Sequence, residues 1–161
     1  MKRLVLAAAI ALIAAPAVAQ NMTQISATKG GKSCAGCNLF QADFSNLEMK
    51  GRNFSPARIR QANLSLATMN RTNFSGADLR DVDAFGGVFS SSNFAGANME
   101  NSTWVGAFLE GSNFRGANLA GANFSGAELA RATGLTQAQL NTACGDQATT
   151  LPAGMSIPAC R

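Results

Sequence analysis

The sequence predicts an all-β solenoid, a fold in which the chain turns a corner at short and regular intervals. A large apolar side chain stands at every fifth position from Leu39 to Leu129, and only Ala84 among them is small. A five-residue period fits neither the 3.6-residue turn of a helix nor the two-residue alternation of a strand. The chain must therefore change direction every five residues for these side chains to share one interior.

The other positions of the unit predict a narrow, four-sided coil. Most units carry a small residue two positions before the centre and a polar residue directly before it, as in Ala117-Asn118-Leu119. Large and small inward side chains can then alternate and fill a narrow tube without voids. A longer period of twenty residues links four phenylalanines, each preceded by Asn: Phe54, Phe74, Phe94 and Phe114. Four units should therefore make one coil, with a stacked Phe ladder and a stacked Asn ladder.

The repeated unit Ala-Asn-Leu-x-Gly, seen at residues 117–121, resembles the unit of the pentapeptide-repeat family. The resemblance covers Cys34 to Arg131 and includes nineteen consecutive units in unbroken register. It implies a right-handed quadrilateral β-helix over residues 34–131. Arg52 departs from the pattern because it places a charge at an inward position, which predicts an irregular first turn.

The N-terminus has the pattern of a secretory signal peptide. A basic start, Met1-Lys2-Arg3, precedes an apolar run and the small residues Ala17-Val18-Ala19, so we expect cleavage after Ala19. The run is too short to cross a bilayer. The sequence therefore predicts a bacterial periplasmic or secreted protein without membrane contact after cleavage, with a retained N-terminal anchor as the alternative. Loss of Lys2 and Arg3 would lower the net charge from +4 to +2, which argues against an electrostatic partner.

Two segments flank the repeats. Residues 20–33 are mostly polar and include Gly30-Gly31, so the sequence predicts a flexible leader. Residues 132–161 predict a cap and a disulfide-closed tail. Within them Thr136 and Gln139 form a capping-box pattern, which predicts a short helix from Gln137 to about Ala143 that closes the last coil.

The four cysteines predict staples at the two ends of the solenoid. An even number of cysteines in an exported protein favours disulfides. We expect Cys144 to pair with Cys160, and Cys34 to pair with Cys37 at the first coil. The ends lie too far apart for a single Cys₄ metal site. Cys34-Ala35-Gly36-Cys37 has redox spacing as an alternative, but no βαβ pattern surrounds it.

The residue inventory predicts a protein that is not an enzyme and has no cofactor. The chain contains no His and no Tyr, so the commonest general base and metal ligand is missing. Asp78, Asp81 and Asp83 form the one local carboxylate cluster, and two of them take the ordinary outward slot. Some members of the family that the chain resembles are DNA mimics that inhibit topoisomerases. A slightly basic, exported chain disfavours that role, and we expect no nucleic-acid partner.

One group of outward positions is apolar. Phe85 and Val105 are twenty residues apart, as are Val88 and Phe108, so the four should lie on both sides of one corner. Polar residues take the same positions one coil earlier and one coil later. A bounded apolar patch is typical of an interaction site, so the sequence predicts contact with an unknown protein partner or self-association.

The outward apolar residues have two other interpretations. Phe85 could instead turn inward to fill space beside Ala84. Phe40 and Leu66 are taken as isolated apolar positions.

A basic face is the second candidate surface. Arg58, Arg60 and Arg80 lie in the first half of the repeats, and Arg60 and Arg80 are twenty residues apart. They could contact an anionic envelope polymer or lipid. The alternative is a solvated face balanced by Glu48, Asp78 and Asp81.

Overall fold

The structure is a computed structural model that describes residues 19–161. The predicted signal peptide, residues 1–19, lies outside the described residues except for Ala19. Residues 19–161 contain two helices, α1 (Met22–Lys29) and α2 (Gln137–Leu140), and the chain between them forms isolated parallel β-bridges rather than extended strands. Neither helix of residues 19–161 has the length and apolar character needed to cross a bilayer.

The bridges define a four-sided coil of twenty residues. They join residues twenty apart without a break, from Asn38 with Arg58 to Asn113 with Thr133. Four bridging positions per coil give four faces, A to D in chain order. Each face is a stack of three-residue segments. Face A holds 38–40, 58–60, 78–80, 98–100 and 118–120, and face B runs in the same way from 43–45 to 123–125. Face C runs from 48–50 to 128–130, and face D from 53–55 to 113–115, to which Thr133 adds one further bridge.

The interior follows the five-residue register predicted from the sequence. Every centre from Leu39 to Leu129 is at most 2% exposed. The Phe ladder is confirmed, with successive ring centroids 5.5, 5.2 and 5.2 Å apart and the rings nearly parallel. The Asn ladder on face D is also confirmed, because the Nδ2 of each Asn donates to the Oδ1 of the Asn one coil below at 3.2 Å.

The first turn keeps the backbone ladder at Arg52, but the next residue, Asn53, donates its backbone N–H to the Ser33 side chain at 3.1 Å instead of to a backbone carbonyl. The backbone carbonyl of Arg52 accepts the ordinary inter-coil hydrogen bond from Asn73 N at 2.8 Å. The side chain extends instead to the N-terminal end of the stack, where its Nη2 lies 3.2 Å from the place that a Cβ on Gly31 would occupy. The residue is only partly exposed and its Nε is buried without a hydrogen-bond partner among residues 19–161, so the side chain is covered by the N-terminal cap segment.

The flexible leader predicted for residues 20–33 is wrong, since this segment contains α1. The side chain of Asn21 caps the helix by accepting a hydrogen bond from Gln24 N at 3.1 Å. Ile25 and Thr28 are buried against the first coil, and Gln24 Oε1 accepts the backbone N–H of Asn38 at 2.8 Å. The helix forms because the first coil would otherwise expose its apolar end and unpaired backbone groups.

The C-terminal segment contains a helix that is shorter than predicted. The capping box between Thr136 and Gln139 is present, and α2 ends at Leu140 rather than near Ala143. Gln139 Nε2 donates to the carbonyls of Phe114 and Ala117 at 2.9 and 2.8 Å, so the cap satisfies acceptors at the end of the stack. The chain after α2 then resumes the bridge ladder on faces B and C instead of extending the helix.

Candidate interaction surface

The space beside Ala84 is filled from within the core. A Cβ on Gly87 would lie 2.5 Å from Cε2 of Phe89, so the Phe89 ring occupies the room that Gly87 leaves. Trp104 stands one coil above Ala84 and packs edge-on against Phe89, with ring centroids 5.0 Å apart. Phe85 is therefore not needed inside, and its side chain is 52% exposed. The alternative in which Phe85 turns inward is wrong.

The outward apolar residues meet at the corner between faces B and C. Phe85 and Val105 follow one another on face B, and Val88 bridges to Phe108 on face C. Phe108 is 41% exposed, and the two valines are partly buried. Glycines form the turn between the two faces on these coils, so no side chain separates the rings. Gly86 is one of them, and it has a φ of 60°.

Leu66 belongs to the same corner and is not isolated. It stands one coil below Gly86 and is 53% exposed, and its Cδ2 lies 2.9 Å from the place that a Cβ on Gly86 would occupy. We define the apolar corner by five residues: Leu66, Phe85, Val88, Val105 and Phe108. Of the four large apolar side chains that are exposed in residues 19–161, three lie here and the fourth, Met22, lies on α1.

Acidic residues surround the apolar corner. Asp83 is exposed beside Phe85 and accepts the Phe85 backbone N–H at 3.0 Å, while Glu128 is exposed and bridges to Phe108 from the coil above. Outward positions of faces B and C hold five acids against one base: Asp43, Asp83, Glu48, Glu110 and Glu128 against Lys50. Faces A and D hold four bases against two acids: Arg58, Arg60, Arg80 and Arg115 against Asp78 and Glu100. Glu48 pairs with Lys50 at 2.8 Å and Glu110 pairs with Arg131 at 2.6 Å, so the acidic character of the apolar corner rests on Asp83 and Glu128. The small net charge thus conceals an uneven distribution of charge among the faces.

The arginines of the candidate basic face have partners within the chain. Arg80 makes a two-point ion pair with Asp78 at 2.7 and 2.8 Å, and these hydrogen bonds hold the pKa of Asp78 below its ordinary value. Arg60 pairs with Asp81 at 3.0 Å. Arg58 lies 4.4 Å over the ring of Phe40 and donates to Asn38. Phe40 therefore has a contact that sequence reasoning missed.

Both predicted disulfides are present, Cys34–Cys37 and Cys144–Cys160. The first lies at the N-terminal end, where Cys34 N donates to the carbonyl of Asn53 at 2.8 Å. The second joins the segment after α2 to the end of the chain, where Gly145 also bridges to Ala159. Both staples therefore hold the capped ends, away from the apolar corner.

Residues 19–161 offer a surface rather than an enclosed chemical site. No ligand-sized cavity is found in this part of the chain, and it contains no group of three or more His, Cys, Asp or Glu side chains placed to hold a metal ion. Asp78, Asp81 and Asp83, the carboxylates closest together in the sequence, are divided among ion pairs and a backbone hydrogen bond. The arrangement is that of a parallel, four-sided β-solenoid with capped ends.

The repeats resemble those of the pentapeptide-repeat family. The family profile described as "Pentapeptide repeats" matches residues 53–83 and 92–131 in eight copies, which confirms the resemblance over those residues. The family implies the right-handed quadrilateral β-helix expected from the sequence. No curated protein matches the chain.

Solved structures of pentapeptide repeat proteins resemble the chain. HetL from the cyanobacterium Nostoc sp. strain PCC 7120, involved in heterocyst differentiation regulation, is 21% identical over 76% of this chain and 65% of its own, with a TM-score of 0.40. A protein of the Arabidopsis thaliana thylakoid lumen is 32% identical over 59% and 63%, with a TM-score of 0.32. Rfr23 from the cyanobacterium Cyanothece 51142 is 22% identical over 81% and 97%, with a TM-score of 0.38. The match spans less than two thirds of the first two proteins.

Proposed function

We propose that this protein is an exported, non-enzymatic interaction module, and that the apolar corner is its contact surface. The observation that carries the proposal is the exposure of Phe85 and Phe108, 52% and 41%, on adjacent coils of a solenoid whose other outward positions are mostly polar. Bounded apolar patches on soluble proteins commonly mark contact sites. Export rests on the signal-peptide pattern of residues 1–19, and a periplasmic or secreted location follows from it.

The rival function, binding to an anionic envelope polymer through Arg58, Arg60 and Arg80, has weaker support. Two of these arginines already form ion pairs with Asp81 and Asp78. An anionic ligand would have to compete with those carboxylates. DNA mimicry remains disfavoured, because the net charge is positive, +4 for the whole chain and +2 after loss of Lys2 and Arg3.

The apolar corner can be tested with a variant whose residues the repeat already uses. Phe85→Ser places at the corner the residue found one coil below, Ser65, and Phe108→Thr places there the residue found two coils below in its column, Thr68. A random peptide library is panned against the oxidised protein, against this corner variant and against Met22→Thr, which removes the exposed apolar side chain of α1.

We expect peptides that bind the native protein and Met22→Thr but not the corner variant. Equal recovery on the native protein and a folded corner variant, as judged by circular dichroism, would refute the proposed surface.

A further inference from the structure

We infer that the apolar corner binds a cationic, amphipathic segment of another protein, one with apolar side chains flanked by Lys or Arg, rather than a second copy of this chain. The inference rests on the proposed function and adds the chemistry of the partner. Its basis is the arrangement of the charged groups around the corner.

The charges at the corner favour a basic partner. Asp83 stands beside Phe85, and Glu128 stands directly above Phe108, both with exposed side chains. In the outward column of face C, Phe108 lies directly below Glu128, which in turn bridges to Thr150. Apolar contact would therefore place a partner beside the carboxylates of Asp83 and Glu128. A partner with cationic groups at these points gains attraction, whereas one with acidic groups is repelled.

Self-association through this corner has the wrong charges. A two-fold symmetric contact places the same patch on both copies. Asp83 and Glu128 of one copy would then approach the acids of the other. A contact between the corner and the basic faces A and D would match in charge, but none of the exposed large apolar side chains in residues 19–161 lies on those faces. A second copy thus offers either the positive charge of faces A and D or the apolar surface of the corner, but not both at one site.

The acidic rim can be removed without changing the apolar surface. Asp83→Asn keeps the acceptor for the Phe85 backbone N–H, since Asn63 and Asn123 make the same bond in the same column at 3.0 and 2.9 Å. Glu128→Gln completes this rim variant. The control is Asp78→Asn with Glu100→Gln, which removes an equal number of negative charges from face A, away from the apolar corner.

The probes are three fluorescent peptides with one common spacing. The first combines Leu with Lys, the second Leu with Glu, and the third Ser with Lys. Fluorescence anisotropy gives their Kd values for the oxidised native protein and each variant, and light scattering gives the mass of the protein alone. We expect the Leu/Lys peptide to bind most tightly, to lose binding on the corner variant and to weaken roughly two- to thirtyfold on the rim variant but not on the control.

The remaining outcomes overturn the inference in distinguishable ways. Equal binding of the Leu/Lys and Leu/Glu peptides, lost on the corner variant, would leave the proposed function standing and remove the cationic partner. Equal binding of the Leu/Lys and Ser/Lys peptides, unaffected by the corner variant, would mean general ionic attraction and count against both proposals. No binding by any peptide would overturn the inference. So would a native dimer that the corner variant converts to a monomer.

Discussion

The centre of the aromatic core should be the most costly place to truncate a side chain. Phe94 is fully buried and stacks between Phe74 and Phe114, with centroids 5.2 Å away on both sides. It also contacts Phe89 at 6.3 Å and Trp104 at 5.4 Å. Phe124 is equally buried but has one aromatic contact in the described residues, with Phe114 at 6.5 Å. The change Phe→Ala at these two positions therefore compares similar burial with different aromatic surroundings.

The two costs can be estimated from these contacts. Truncating a buried Phe to Ala costs about 3–5 kcal/mol, and an aromatic pair contributes about 0.5–1.5 kcal/mol beyond its buried area. Phe94 has three more aromatic pairs than Phe124. At about 0.5 kcal/mol per pair, Phe94→Ala should be at least about 1.5 kcal/mol more destabilising than Phe124→Ala. Urea unfolding of the oxidised variants, followed by circular dichroism and compared at equal m-values, measures the difference. Equal losses would refute an aromatic contribution beyond burial.

Three further predictions concern the capped ends. Asn21→Ala should lower the stability of α1 by about 1 kcal/mol through loss of its N-cap. Amide exchange in α1 should then be faster in the variant than in the native protein, while exchange in the repeats stays the same. Opening Cys144–Cys160, with its separation of 16 residues, should destabilise the tail by about 3 kcal/mol; unchanged exchange at Thr150 in Cys160→Ser would contradict this. The pKa of Asp146 is lowered from 3.8, first by the hydrogen bond from Gly126 N, so its contribution is complete above that value and lost as the pH falls below it. Asp146→Asn should therefore reduce the loss of unfolding free energy between neutral and acid pH. An unchanged pH dependence would be evidence against a stabilising hydrogen bond from Gly126 N to Asp146.

Much of the fold could be predicted because the solenoid repeats one local rule. The five-residue period placed every buried centre, and the twenty-residue period placed both ladders before any contact was known. The capping box at Thr136 was readable because it is a contact between near neighbours in sequence. The same kind of signal exists at Asn21 and Gln24, three residues apart with Gly30 behind them, and it could have predicted α1 in place of a flexible leader.

The parts that could not be predicted depend on neighbours distant in sequence. The small size of Ala84 gave no indication that Phe89 and Trp104 fill the space beside it, because that depends on ring orientations on different faces. The sequence did not predict that Leu66 belongs to the apolar corner, because this depends on the contact of its side chain with Gly86 one coil above. The separation of charge among the faces was hidden by the near-neutral total, since net charge contains no information on direction.

The twenty-residue register restricts how this chain can change in length. Inserting or deleting five residues in the middle of the repeats would keep every centre inside, but it would rotate everything beyond that point by one face. The Phe ladder would then be divided between two faces, and segments that now stack on one face would lie on neighbouring faces. A change of twenty residues would lengthen or shorten the solenoid by one coil and leave each column aligned. Removing 86–105, for example, would retain Phe85 and Phe108 and place Phe108 directly after the coil that carries Thr68. Length variants in steps of five and twenty would therefore separate the demands of folding, which both satisfy, from those of surface arrangement, which only whole coils preserve.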